Sequence, residues 1–120
     1  MPEASFALEV VSGVPVVATP QEIDITNAGG LRAALVEASA HGPGPLVVDM
    51  SRTEFCDSSG IHVLVRAHKR ARAGGGELRL VLTAAGVRRA FAIIGIDRVI
   101  PSFPSLEEAL GQAPARSVSG

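Results

Sequence analysis

The sequence predicts a single α/β domain on a mixed, mainly parallel sheet. Three observations carry that prediction. Apolar residues alternate in short runs, those runs are separated by stretches in which apolar residues recur every three or four positions, and Gly and Pro clusters mark the changes of period. The resulting order is strand, strand, helix, strand, helix, strand, helix, strand, helix, with four to five strands and about four helices.

Phe6, Leu8 and Val10 alternate with Ala7 and Glu9, a half-buried strand that ends at Ser12-Gly13. A second run from Val14 to Ala18 turns back on it as a hairpin, and Pro15, which lacks a donor, belongs at the start of that strand or on an edge. Beyond Asp24 the period lengthens. Ala28, Leu31, Leu35 and Ala38 form one face of a helix with Thr26 or Asn27 as candidate N-cap, and Gly29-Gly30 leave its first turn loose or held by packing. His41-Gly42-Pro43-Gly44-Pro45 stops it.

Leu46-Val47-Val48-Asp49-Met50 is nearly continuous in its apolar character, as suits a strand buried on both faces at the centre of the sheet. Ser51 to Asp57 reads as a loop. In the helix that follows, Ile61, Leu64, Val65 and His68 share one face while His62, Arg66, Lys69 and Ala73 share another, and Gly74-Gly75-Gly76 ends it.

Leu78, Leu80 and Leu82 alternate with Arg79 and Val81 as the next strand. Gly86 to Ile94 forms a short helix with Val87, Ala90, Phe91 and Ile94 inward and Gly95 as its C-terminal stop. Arg98-Val99-Ile100 is expected to be a last brief strand, and Pro101 to Pro104 a loop. Ser105-Leu106-Glu107-Glu108 matches a capping box opening a final helix. The domain is expected to span residues 1–112, with 113–120 a disordered tail.

Composition narrows the function classes. The 120 residues are 47% hydrophobic, enough for one core without disulfides or metal, and the formal net charge of -1 offers no global attraction to nucleic acid or an anionic membrane. Aromatic residues, all Phe, are 3%, too few for a stacking platform. The core falls to Val, Leu, Ile and Ala. Cys56 is the sole cysteine, which excludes an internal disulfide and two-cysteine metal motifs; it reads as a small packed residue, with a redox sensor beside Asp57 as the alternative. No metal or cofactor site is indicated. The start of the chain has no secretory pattern and no apolar run approaches a membrane span, so a cytoplasmic protein is expected.

Function must then reside where a helix begins after a buried strand. Asp57-Ser58-Ser59-Gly60 stands there, and first-turn N–H groups lacking intrahelical partners are expected to point toward it. Asp57 or Ser58 can serve simply as the cap. A phosphoryl group on Ser59 would add nearly two charges at that point. Favourable interaction with a helix N-terminus is worth about 0.3–1 kcal/mol, too little to reorganise a packed domain. Burying an unpaired charge in an interface costs several kcal/mol. Phosphorylation is therefore expected to act on a partner rather than on the fold.

Other chemistries fit less well. Ser59 lacks a Gly-x-Ser-x-Gly elbow, and among His41, His62 and His68, His68 lies on the apolar face while His62 points to solvent. Asp49 lacks the acidic pair and the lysine of a phosphorylated-aspartate receiver and reads as a strand-end residue. Arg66, His68, Lys69, Arg70 and Arg72 read as a solvated helix face rather than a nucleic-acid patch.

The run Thr53-Glu54-Phe55-Cys56-Asp57-Ser58-Ser59-Gly60-Ile61, with Gln21-Glu22-Ile23-Asp24 before it and Val87-Arg88-Arg89-Ala90-Phe91, Gly95-Ile96-Asp97 and Phe103-Pro104-Ser105-Leu106-Glu107-Glu108-Ala109-Leu110 after it, resembles the STAS domain of bacterial anti-sigma factor antagonists. The resemblance runs from about Phe6 to Gly111. It implies a STAS-like fold and a non-enzymatic regulator that binds an anti-sigma factor doubling as a serine kinase, so releasing a sigma factor. It further implies Ser59 as phosphoacceptor, Asp24, Asp57, Ser58 and Gly60 as residues shaping the site, and a serine phosphatase that reverses the modification. ATP and magnesium would belong to the kinase. His62 and Arg66, exposed on the second helix, are candidate partner contacts. The alternative is a STAS scaffold or sensor subunit in a larger stress-signalling complex without direct sigma-factor control. Thr19-Pro20-Gln21 departs from the family, which usually has Gly before the Glu-Ile-Asp block.

Overall fold

The computed structural model describes residues 6–111, so the expected tail from 113 onward lies outside the described residues. Strands β1 (Ala7–Val11) and β2 (Val14–Ala18) form the expected antiparallel hairpin. Its turn holds Ser12 at φ 53° and Gly13 at φ 81°, the left-handed pair that a two-residue hairpin of right-twisted strands requires. Pro15 is the second residue of β2, opposite Val10, and pairing of β2 with the next strand begins only at Val16. Its missing donor therefore falls outside the ladder although β2 is an interior strand.

Helix α1 (Ala28–Ser39) buries Ala28, Leu31, Ala34, Leu35 and Ala38. Its N-cap position is Asn27, but that side chain makes no capping bond to the helix. It is spent on the preceding turn instead, accepting from the Asp24 N–H at 2.9 Å and donating to the Glu22 carbonyl at 2.8 Å. Gly30 explains part of the glycine pair, since a Cβ there would stand 3.1 Å from the Phe6 ring.

Strand β4 (Pro45–Met50) is central, in the order β1-β2-β4-β6-β7, with β6 (Glu77–Leu82) and β7 (Ser102–Phe103) joining it in parallel. The segment read as a loop before the second helix contains a further short strand, β5 (Phe55–Cys56), paired in parallel with β3 (Glu22–Ile23). Two residues are too few for a period to register in sequence.

Helices α2 (Ser58–Ala73), α3 (Ala85–Ile94) and the single turn α4 (Ile96–Val99) join α1 over one face of the sheet, in a core containing Val48, Leu64, Leu80, Phe91, Ile96 and Ile100. Helix α5 (Leu106–Gly111) covers the other face over Val16, Val47 and Val81. Its Ser105 cap forms as expected, with Oγ accepting from the Glu108 N–H at 3.1 Å.

Three expectations are corrected in the C-terminal third. Residues 98–100 are not a strand: Ile96 and Ile100 are an i, i+4 pair, both buried, with the Ile100 N–H donating to the Ile96 carbonyl at 2.9 Å. The last strand is Ser102–Phe103, inside the expected loop. Ala90 and Ile94 do not face inward; Ile94 is 57% exposed, because Gly95 at φ 93° reverses the chain and Ile96 takes the place in the core.

Candidate functional site

Asp57 is the cap of α2. Its Oδ1 accepts from the Ser59 N–H at 2.8 Å and from the Gly60 N–H at 3.3 Å, while its own N–H donates to the Ile23 carbonyl at 3.0 Å. The first-turn donors turn toward this segment as expected, and Asp57, one of the two anticipated caps, takes two of them with its carboxylate. Ser58 is exposed and Ser59 half-buried, and neither hydroxyl has a hydrogen-bond partner among the described residues. The helix end is satisfied without them, leaving both free for other chemistry.

Gly60 shows why a helix can start so close to the β3–β5 ribbon. A Cβ at this position would lie 2.7 Å from Cys56 Sγ and 2.7 Å from Ile23 Cγ2, so only glycine permits the approach. Burial, reinforced by the charge of Asp57, pushes the Cys56 thiol up to about 12. The thiolate that redox sensing would need is suppressed, in keeping with the packing role.

Asp24 follows β3 as Asp57 follows β5, and the parallel register of Ile23 with Cys56 brings the two to one level. Its Oδ1 accepts from the Thr26 N–H at 2.9 Å and from Thr26 Oγ1 at 2.5 Å. The Thr26 hydroxyl, then its backbone N–H, hold the Asp24 carboxyl below its ordinary pKa. This carboxylate is fixed by its own turn and makes no hydrogen bond to Ser58 or Ser59. His62 and Arg66 are both exposed on α2. Asp49 accepts from the Ser51 N–H at 3.1 Å, the expected strand-end turn.

Several residues at this end were not legible in advance. Thr53 Oγ1 donates to the Pro20 carbonyl at 2.6 Å and thereby accepts from Thr19 Oγ1, also at 2.6 Å. Both threonines are buried. With the Glu54 N–H on the Gln21 carbonyl at 2.8 Å, they clip the segment leading to Ser59 onto the one leading to Asp24. In the Thr19-Pro20-Gln21 segment, Thr19 lends its side chain to this clip while Pro20 and Gln21 lend backbone carbonyls. Beside the clip, Ile25 and Phe55 remain 75% and 52% exposed. Isolated threonines at strand ends carry no periodic signal.

Among the described residues no cluster of His, Cys, Asp and Glu could hold a metal, and no helix is long and apolar enough to cross a membrane. Among the described residues, no histidine is hydrogen-bonded to the Ser58 or Ser59 hydroxyl.

Known proteins are similar to this chain in sequence and fold. An anti-sigma-F factor antagonist, RsfB of Mycobacterium tuberculosis, is 32% identical over 101 residues, 82% of this chain and 80% of its own. The crystal structure of an anti-sigma factor antagonist from Mycobacterium paratuberculosis superposes with a TM-score of 0.80 at 31% identity, covering 88% of this chain and 90% of that one. SpoIIAA in its unphosphorylated form matches with a TM-score of 0.69 at 24% identity over 88% of this chain and 93% of its own, sharing the fold. The model of the STAS domain matches residues 5–109, a span that takes in both sheets and every helix down to Ala109, and the chain belongs to the STAS domain family.

Proposed function

We propose that this protein is an anti-sigma factor antagonist: it binds an anti-sigma factor that is also a serine kinase, frees the sigma factor, and releases its partner when Ser59 is phosphorylated. A serine phosphatase resets it. The observation that carries this reading is the unengaged Ser59 hydroxyl on a helix start already capped by Asp57. Because Asp57 occupies the Ser59 and Gly60 N–H groups, a phosphate there gains little from the helix terminus and lies close to a second anion. Its charge is felt mainly by whatever packs on that surface, where desolvation costs several kcal/mol unless it is paired. Asp24, Asp57, Ser58 and Gly60 hold the site's shape, and His62 and Arg66 are contacts on the neighbouring turns of α2. The names of the relatives support the role.

The test is incubation of the whole chain with a kinase-like anti-sigma factor from the same genome, ATP and magnesium, followed by peptide mass spectrometry. Phosphate is expected on Ser59 and absent from Ser59→Ala, which still folds and binds. Efficient phosphorylation of Ser59→Ala at another residue would sink the assignment.

A further inference from the structure

Helix α2 carries no acidic residue along its 16 positions, while Arg66, Lys69, Arg70 and Arg72 lie within it. At 100° per residue, Ser59, His62, Arg66, Lys69, Arg70 and Ala73 fall on one stripe. All of these but half-buried Ser59 are exposed, whereas Gly60, Leu64, Ala67 and His68 fill the opposite side. The ion pair found among the described residues is Arg79 with Glu77, so none of the α2 cations is neutralised by a neighbour within it. A stripe of one sign on a chain of net charge -1 is a local field, not a reflection of composition.

We infer that this stripe, with Ser59 at its head, docks an acidic surface of the anti-sigma partner and steers its approach. The inference rests on the proposed function above. Ser59 to Arg70 spans eleven residues, roughly 16 Å of helix at ~1.5 Å per residue. Arg66 is two turns from Ser59, roughly 10 Å, which is near the Debye length at physiological salt. A phosphate of about two negative charges therefore offsets about two of the three positive charges that Arg66, Lys69 and Arg70 give the stripe. Phosphorylation then acts twice, blocking close contact at Ser59 and slowing encounter along α2. An acidic protein surface is favoured over nucleic acid because the stripe offers no aromatic side chain and its head is a site for a protein kinase.

The experiment measures association and dissociation rates of the whole chain with the kinase-like anti-sigma factor at rising NaCl. Wild type is expected to associate at least tenfold more slowly at high than at low salt. Lys69→Glu/Arg70→Glu should lower the low-salt association rate by a similar factor while dissociation changes far less. Lys69→Gln/Arg70→Gln, a milder pair, should lower it by a smaller factor if the reversal variant fails to fold. A wild-type association rate insensitive to salt, or unchanged rates in the folded variants, overturns the inference and leaves the Ser59 reading standing. Absence of any complex or Ser59 phosphorylation in wild type overturns both. Tighter binding to a DNA duplex or to phosphatidylserine vesicles than to the partner overturns the choice of occupant.

Discussion

The two ends of α2 treat polar groups in opposite ways. At its start, backbone donors are tied to Asp57, and two serine hydroxyls have no hydrogen-bond partner among the described residues. Towards its other end, side chains that would normally be solvated are buried and held by hydrogen bonds, Arg79 Nη2 excepted. His68 Nδ1 accepts from the Leu78 N–H at 3.1 Å. On the far face of the sheet Arg79, 1% exposed, donates through Nε to Glu77 at 2.7 Å and through Nη1 to the Ala109 carbonyl at 2.8 Å, holding α5 against β6. The buried end ties its polar groups into the fold, Arg79 Nη2 alone lacking a partner among the described residues, whereas the start leaves open the hydroxyls at which the proposed switch would act.

Arg79→Ala should break this contrast most severely. It strips a buried guanidinium from Glu77 and from the Ala109 carbonyl, and a loss of about 3 kcal/mol is expected in urea unfolding. Ser59 phosphorylation at a temperature where the variant is folded should be unchanged. Gly60→Ala comes next, at about 2 kcal/mol, because its methyl group would overlap Cys56 and Ile23. Unlike Arg79→Ala, it should also weaken partner binding, as the start of α2 must shift. Asp57→Ala removes the cap for about 1 kcal/mol of stability, and two N–H groups then become available to an anion. A phosphorylated Asp57→Ala chain should lose less stability than the unphosphorylated one, readable as a smaller drop in melting temperature.

The smallest effect concerns pH. Burial, then the Arg72 charge, lower the pKa of His68 despite the pull of Glu77, and its Nδ1 can accept from Leu78 only while unprotonated. The folded state therefore holds this proton less well than the unfolded chain. Stability from His68 is complete above its ordinary value of 6.5 and is lost as pH falls below it toward the lowered value. Melting temperature should decline from pH 7.5 to 5.5, and less steeply in His68→Asn, which keeps an acceptor without the titration.

Much of this was legible in sequence because periodicity reports burial. The hairpin, the central strand, the first three helices and the Asp57-Ser58-Ser59-Gly60 turn all follow from it. What was hidden lacks a period or has two readings. The β3–β5 ribbon is two residues wide on each side. Ile96 to Ile100 reads as well by alternation as by a helical turn until Gly95 fixes the chain direction. Arg79 alternates correctly with its leucine neighbours, so its sidedness was visible, but nothing local says that α5 closes over that side. Thr19 and Thr53 lie 34 positions apart, and only the fold makes them partners.

The central claim is that the charge on Ser59 selects partner binding without altering the fold. Its most direct test is the dissociation constant for the kinase-like anti-sigma factor, measured with melting temperature on wild type and on the chain phosphorylated stoichiometrically at Ser59. A weakening of about 100-fold, some 2.7 kcal/mol, with a nearly unchanged melting temperature is the predicted result. Equal affinity for both forms, or weakened binding accompanied by loss of the folded state, would contradict it.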